Sequence, residues 1–334
     1  MATRSSCSIA VLSFHSSWST RLGFLHLLRC TCALIACCIG MGSIWAAELI
    51  VLSSDRSPGY SEAAQTIASE WMRSGPDKPE VQVLYLTDPG ALESPQLGTA
   101  RTIVTLGSEA LSRLLLRDLR TPVIAALIPR AGFERVLRDL PKRPMAPVAA
   151  LYLEQPFPRQ IELLRLALPE AKKVGVLWGM ESGLQAGNLL SSLNARGLEM
   201  VSGYVGGTVN LFIGLKAVLD GTDVLLAVSD PQVYNGSSIS NVLLATYRAR
   251  VPVVAFSPAY VRAGALLSLH STPRQIGVQA AAMAKVQWTA AGSVSSQYPA
   301  DYTVVLNEHV ARSLGLSLDE AALSERLRRW EKRQ

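Results

Sequence analysis

Cysteine is absent from the chain after Cys38, and this absence limits what the folded part of the protein can do. All five cysteines of the 334-residue sequence lie within the leading segment that ends there. The longer remainder therefore has no disulfide framework and no thiol nucleophile. Histidine is almost as scarce, because only His270 and His309 occur in this part of the chain. Two separated histidines without cysteine do not predict a zinc site.

The usual signatures of nucleotide enzymes and hydrolases are also missing. There is no G-x-G-x-x-G fingerprint and no G-x-x-x-x-G-K-[ST] loop. The stretch Gly179–Gly183 resembles a nucleophile elbow, but Ser182 stands one position late for G-x-S-x-G. No set of residues combines a nucleophile, a base and an orienting group. The sequence therefore predicts a protein that is not an enzyme, with no catalytic residue, no metal and no cofactor.

Charge is low and nearly balanced outside the first residues. The formal net charge is +6, to which Arg4, Arg21 and Arg29 contribute before any acidic residue occurs. The mild excess that remains gives no reason to expect a nucleic-acid partner. The most basic stretch is Arg326–Arg333. We interpret it as a solvated helix end, and contact with a membrane surface is the alternative.

The first 46 residues have the layout of a secretory signal, with a basic lead and an apolar core. No charged residue occurs from Cys30 to Ala47. We predict cleavage after Ala46, so that residues 1–46 are a signal peptide and the rest is periplasmic. Two alternatives stay open. Leu34–Cys37 resembles a lipobox, which would make Cys37 a lipid-bearing N-terminus, and the uncharged run is also long enough to remain as a membrane anchor.

The rest of the chain alternates short apolar runs with helical patterns. Runs such as Val123–Ile128 are apolar throughout rather than alternating with polar residues. This pattern is typical of parallel strands that are buried on both faces between helices. The proline-rich stretch Pro141–Pro147 separates two such series. We therefore predict an α/β fold with two lobes rather than one barrel.

In open α/β sheets, ligands bind beyond the carboxyl ends of the strands, where the N–H groups of helix starts point outward. Polar and aromatic residues follow five of the predicted strands. Several have simpler roles available: Ser108 and Ser182 suit helix caps, and Asp230 suits a turn. The stretch Tyr234–Ser238 is the least typical of a simple cap. The candidate ligand-binding residues are Ser53, Ser54, Gly107, Ser108, Glu109, Gly179, Glu181, Ser182, Asp230, Tyr234, Asn235, Ser257 and Tyr260.

Short motifs in a characteristic order run through most of the chain. They include Thr105–Ala110, Glu154–Pro156, Leu168–Leu177, Val251–Ala255 and Asn307–Leu316. In order and spacing they resemble the extracytoplasmic substrate-binding proteins of ABC transporters. The similar branch has the type I periplasmic-binding-protein fold and includes binders of aromatic amino acids.

The resemblance implies two doubly wound parallel-sheet lobes joined by a three-crossing hinge. The first lobe would comprise residues 48–148 plus 259–297, and the second 149–258 plus 298–316. Residues 317–334 would form a C-terminal basic helix. Hinge closure would trap a small-molecule ligand, an amino acid or a similar compound, and the partner would be a membrane permease.

In this interpretation Ser108 and the N–H groups of its helix hold polar ligand atoms. Glu109 or Asp230 takes a cationic group, and Tyr234 or Tyr260 stacks on an apolar part. The sequence departs from the family between Ile128 and Ala150, where a glycine- and asparagine-rich turn with a threonine is common. An amino-acid ligand is therefore not carried over directly. Two other functions stay open: an envelope sensory or accessory protein on this fold, and a two-lobe hydrolase or transferase.

Overall fold

The computed structural model describes residues 48–74, 80–289 and 294–334. The expected signal peptide and the lipobox cysteine lie outside these residues. All described residues belong to one compact unit. Within them, no helix is both long enough and apolar enough to cross a membrane.

The chain alternates strands and helices over its described length. The strands are β1 Leu49–Ser53, β2 Val81–Tyr85, β3 Thr102–Leu106, β4 Val123–Ile128, β5 Val148–Tyr152, β6 Lys173–Trp178, β7 Glu199–Tyr204, β8 Val224–Leu226, β9 Val253–Ala255, β10 Leu267–His270 and β11 Thr303–Leu306. The helices are α1 Pro58–Ser74, α2 Ser108–Leu115, α3 Arg130–Arg138, α4 Phe157–Ala167, α5 Ala186–Asn194, α6 Leu211–Leu219, α7 Ile239–Ala249, α8 Pro258–Ala263, α9 Pro273–Thr289, α10 Glu308–Ser313 and α11 Glu320–Glu331.

The first sheet has the order β2-β1-β3-β4-β5, and its strands are parallel. Alternate residues of β1 enter different cores. Leu49 and Val51 pack in a cluster with residues of α1 and α9, whereas Ile50 and Leu52 pack in a cluster with residues of α2 and α3. Helices thus cover both faces, which explains why the strand is apolar throughout.

The second sheet has the order β11-β10-β9-β8-β6-β7. Its strands are parallel except for β11, which pairs antiparallel with β10. The expectation of an α/β fold with two parallel-dominated, doubly wound sheets is confirmed. Helix α11 packs against α4, and Leu323 and Leu327 enter the core of the second lobe. The C-terminal helix is therefore an integral part of that lobe.

The division between the lobes differs from the expected boundaries. Strand β5 pairs with β4, beginning where Val148 lies opposite Val123, and so completes the first sheet. Residues 149–152 were expected in the second lobe. Helix α8 and strand β10 belong to the second lobe, although residues 259–270 were expected in the first. Apolar periodicity predicts a strand but does not determine which sheet it joins, because strand pairing is non-local.

Three chain segments connect the lobes: one after β5, one between β10 and α9, and one before β11. Hydrogen bonds join them to one another. The Nε2 of Gln155 donates to the hydroxyl of Ser271 at 2.8 Å, and this hydroxyl donates to the carbonyl of Asp301 at 2.6 Å. Arg159 donates to the carbonyl of Pro299 at 2.7 Å. The buried Gln155 and Arg159 thus hold the crossings side by side.

Candidate ligand-binding cleft

The carboxyl ends of strands from both sheets face each other between the lobes. We call the loops after β1, β3, β4 and β5 the first rim, and the loops after β6, β8 and β9 the second rim. An ion pair joins them, with the Nε of Arg135 in α3 2.9 Å from Oε1 of Glu181 after β6. Helix α3 also contacts the short 3₁₀ helix Ser182–Gln185. These contacts place the loops of the two rims opposite each other, and a ligand site between them stays a prediction.

At the first rim, the Tyr60 and Ser54 hydroxyls both pack closely against Gly107. Gly107 has a φ of 91°, which favours glycine. A Cβ there would lie 2.5 Å from the Tyr60 hydroxyl and 2.6 Å from Oγ of Ser54. Ser54 donates to the carbonyl of Leu106 at 2.8 Å and accepts from the N–H of Ala110 at 3.1 Å. Ser54 therefore fixes the start of α2 against β1.

Ser108 is the first residue of α2, whose N-cap is Gly107 rather than a serine side chain. Ser108 is partly exposed, and its hydroxyl makes no hydrogen bond among the described residues. Glu109 is exposed and pairs with Arg113 at 2.7 Å. Burial, together with the charges of Asp55 and Glu109, raises the pKa of the nearby Tyr60. The rim thus combines an unpartnered hydroxyl with local negative charge. Ser53, by contrast, is buried and donates to the carbonyl of Asp55.

At the second rim, Asp230 is only 1% exposed. One of its carboxylate oxygens accepts from the N–H of Ser182 at 3.0 Å, and the other accepts from the N–H of Gln232 at 2.8 Å. The Ser182 hydroxyl accepts from the N–H of Gly179 at 3.1 Å. A Cβ on Gly179 would lie 2.4 Å from the Asp230 carboxylate. Asp230 is thus occupied in connecting two loops of the second lobe.

Tyr234 lies in the core of the second lobe. It is 4% exposed and packs near Phe256 and Tyr260, with ring centroids 5.9 and 6.4 Å away. Among the described residues its hydroxyl has no hydrogen-bond partner, and burial raises its pKa. Tyr260 is only partly buried. Of the two tyrosines, Tyr260 is therefore the one with a partly accessible surface.

Two further candidates are helix-start residues. The side chain of Asn235 accepts from the N–H groups of Ser237 and Ser238, both at 3.0 Å. The Ser257 hydroxyl caps α8 by accepting from the N–H of Ala259 at 3.3 Å. In both residues the side-chain oxygen is used in local hydrogen bonds to the backbone.

Glu154, in the first crossing, was not among the sequence-derived candidates. Its Oε1 accepts from the N–H of Arg130 at 2.8 Å, and its Oε2 is buried with no hydrogen-bond partner in the part of the chain that the structure describes. Burial raises the pKa of this carboxyl to about 7. The Arg130 side chain contacts Glu134 at 2.7 Å and the Tyr298 hydroxyl of the third crossing at 3.2 Å. An acidic residue between an apolar strand and a proline was the sequence signal that could have identified it.

Comparisons with known proteins give consistent results. Residues 100–328 match the family described as ABC transporter substrate binding protein. A conserved domain protein from Vibrio cholerae has 21% identity and a TM-score of 0.58, with 84% of this chain and 98% of that chain covered. An ABC domain from Streptococcus pneumonia in complex with L-Trp has 20% identity and a TM-score of 0.58 over 84% and 98%.

A third similar structure is the ligand-free, open form of a substrate-binding protein with adhesive properties from Clostridium difficile. It has 16% identity and a TM-score of 0.64, with 81% of this chain and 95% of that chain covered. No curated protein matches the sequence. At these identities the three structures establish a shared fold, and the family match extends over more than two thirds of the chain.

Proposed function

The chain belongs to the family of ABC transporter substrate-binding proteins, and from this premise we propose that it captures a small solute between its rims and delivers it to a membrane permease. Solute binding itself is the role of the family. The periplasmic location, the cleavage of residues 1–46, the permease partner and the absence of catalysis are parts of the proposal. The leading segment, in which basic residues come before an uncharged apolar run, supports the periplasmic location.

The observation that carries the proposed site is the unpartnered Ser108 hydroxyl at the start of α2. Other polar residues that follow strands, such as Ser54 and Asp230, make their hydrogen bonds within the protein. A hydroxyl that stays free at a helix start, beside a cleft, is available to a ligand. The partly exposed ring of Tyr260 on the second rim would cover an apolar part of the same ligand.

The charges around the cleft favour a ligand with hydrogen-bond donors. The Glu109 carboxylate is exposed at the first rim, where Arg113 pairs with it. An ammonium or hydroxyl group of a ligand would donate to this carboxylate. The similar Streptococcus structure holds L-Trp, so amino acids are one class to test. Sugars and other polyols carry suitable donors as well.

A thermal-shift screen of the mature protein with amino acids, peptides, sugars and nucleosides tests the proposal. A ligand that binds only the folded state at about a hundred times its Kd stabilises it by about 2.7 kcal/mol. For any ligand found, Ser108→Ala should weaken binding by about fivefold, the usual contribution of one hydrogen bond of about 1 kcal/mol.

Ser191→Ala is the matched control, because Ser191 lies on α5 and bonds only to the carbonyl of Gly187 in its own helix. It should leave the Kd unchanged. Equal Kd values for Ser108→Ala and the unaltered protein, with every ligand that produces a shift, would contradict the proposed site.

A further inference from the structure

A cluster of arginines lies on the outer side of the second lobe, away from the rims. It surrounds a cavity of about 570 Å³ between α11, α4 and the loop before β7. Arg326 and Arg329 lie three residues apart on one face of α11, and Arg333 follows in the turn after the helix, where its Nε donates to the carbonyl of Arg329 at 3.3 Å. Arg196 faces them from the loop and stacks on Trp330, with 5.2 Å between its guanidinium and the ring centroid. We call this set the arginine cavity.

The carboxylates nearby neutralise only part of this charge. Glu162 is buried and lies 3.2 Å from Arg196 and 3.7 Å from Arg165, so it is shared between two cations. Arg329 pairs with Glu325. Arg326 and Arg333 have no carboxylate partner among the described residues. Like charges on one helix face repel each other, and a bound anion would relieve that repulsion.

A second cavity of about 400 Å³ adjoins the arginine cavity and shares Leu166 and Arg326 with it. Its wall is mostly apolar. Besides Asp319 and Ser317, the cavity is lined by the apolar residues Leu166, Ala167, Pro169, Leu316, Leu318, Ala322 and Leu323. The two cavities together therefore form a groove with a strongly basic end and an apolar end.

We propose that this groove binds the headgroup phosphate of an anionic phospholipid at the arginine cavity, with the adjoining acyl segment in the apolar cavity. The arginine guanidinium matches phosphate oxygens in geometry and charge, and it binds them in a bidentate manner. Trp330, with one apolar face and one polar edge, suits the boundary between headgroup and acyl chain. Free phosphate would use the basic end alone and would leave the apolar cavity unexplained.

Co-sedimentation of the full protein with vesicles tests this inference. Binding is expected to vesicles of phosphatidylglycerol and phosphatidylcholine, and not to phosphatidylcholine alone. The double variant Arg326→Gln with Arg333→Gln should lose roughly thirtyfold in apparent affinity, since each basic residue at an anionic surface contributes about 1 kcal/mol. Its thermal unfolding should be nearly unchanged, because both side chains are exposed and the hydrogen bond that is lost, from Nε of Arg333 to the carbonyl of Arg329, is exposed as well.

The control removes the same charge elsewhere in the second lobe, with Arg248→Gln and Arg262→Gln, two exposed arginines outside the groove. It should change the apparent affinity by less than threefold. Equal losses in both double variants would overturn the site in favour of general charge attraction. Absence of vesicle binding overturns the inference outright. A thermal shift with inorganic pyrophosphate but no vesicle binding would replace the lipid with a free phosphate compound.

Discussion

The two rims of the cleft carry similar kinds of residues but use them differently. At the second rim, Asp230 and Asn235 accept backbone N–H groups, and the rim is held together by its own polar side chains. At the first rim, the partly exposed Ser108 has a hydroxyl without a partner among the described residues, whereas the unpartnered hydroxyl of Tyr234 at the second rim is buried. A polar residue after a strand therefore has two distinct uses, and only a hydrogen-bonding group that is both unused and accessible is available to a ligand.

Substitution of Asp230 should produce the largest effect. Asp230→Ala would leave the buried N–H of Ser182 and the N–H of Gln232 without acceptors. Each unsatisfied group costs about 1–3 kcal/mol, so we expect the free energy of unfolding to fall by about 4 kcal/mol in a urea titration.

Glu109→Gln is the control at the first rim, because its ion pair with Arg113 is exposed and should contribute less than about 1 kcal/mol. If both substitutions had equally small effects, the second rim would not depend on Asp230, and the contrast between the rims would be lost.

Glu154 should make stability depend on pH. Its pKa is about 7 in the folded protein, above the ordinary value of 4.5, so the folded state holds the proton more tightly. Its contribution is therefore fully present below about pH 4.5 and is lost as the pH rises through 7. At about 1.4 kcal/mol per pKa unit, the decrease is about 3 kcal/mol.

Urea unfolding at several pH values across this range would measure the slope. Glu154→Gln keeps an oxygen that can accept from Arg130 and should flatten the curve. If Glu154→Gln kept the full decrease in the free energy of unfolding, another group would be responsible for the titration. The contrast between Glu154 and the hydrogen-bonded residues of the second rim would then be lost.

The smallest effect is expected for the ion pair that joins the rims. Arg135 and Glu181 are both partly exposed, so Arg135→Gln should change the free energy of unfolding by less than about 1 kcal/mol. The difference should disappear at high salt, which screens exposed charges. Thermal unfolding at low and high salt would measure it. A large decrease in the free energy of unfolding that did not depend on salt would mean that Arg135 holds the two rims together more strongly than an exposed ion pair does.

Much of the fold could be predicted because its signals are local. The apolar strands, such as Leu49–Ser53, show buried parallel sheets without any knowledge of their partners. The position of the proposed cleft follows from the rule that ligands lie beyond strand ends, and it stays a prediction. The lobe boundaries could not be predicted equally well, since the local sequence of β5 or β10 does not specify which of the two sheets the strand joins.

The candidate residues divide in the same way. That Ser108, Asp230 and Tyr260 follow strands was evident from the sequence, whereas the state of their polar atoms was not. Asp230 accepts from Ser182, which is 48 positions away, and Gly107 lies against Tyr60. Tyr234 looked like a stacking residue but is enclosed by neighbouring aromatic rings.

The sequence by itself determined the βα alternation, the two-sheet α/β class and the family, because periodicity and short motifs are properties of contiguous residues. Only the tertiary structure decided which polar groups remain available, which sheet each strand joins, and that arginines 130 positions apart surround one cavity with Trp330. The physical reason is that a hydrogen bond or charge is satisfied by its neighbours in space, and folding brings those neighbours from distant parts of the chain.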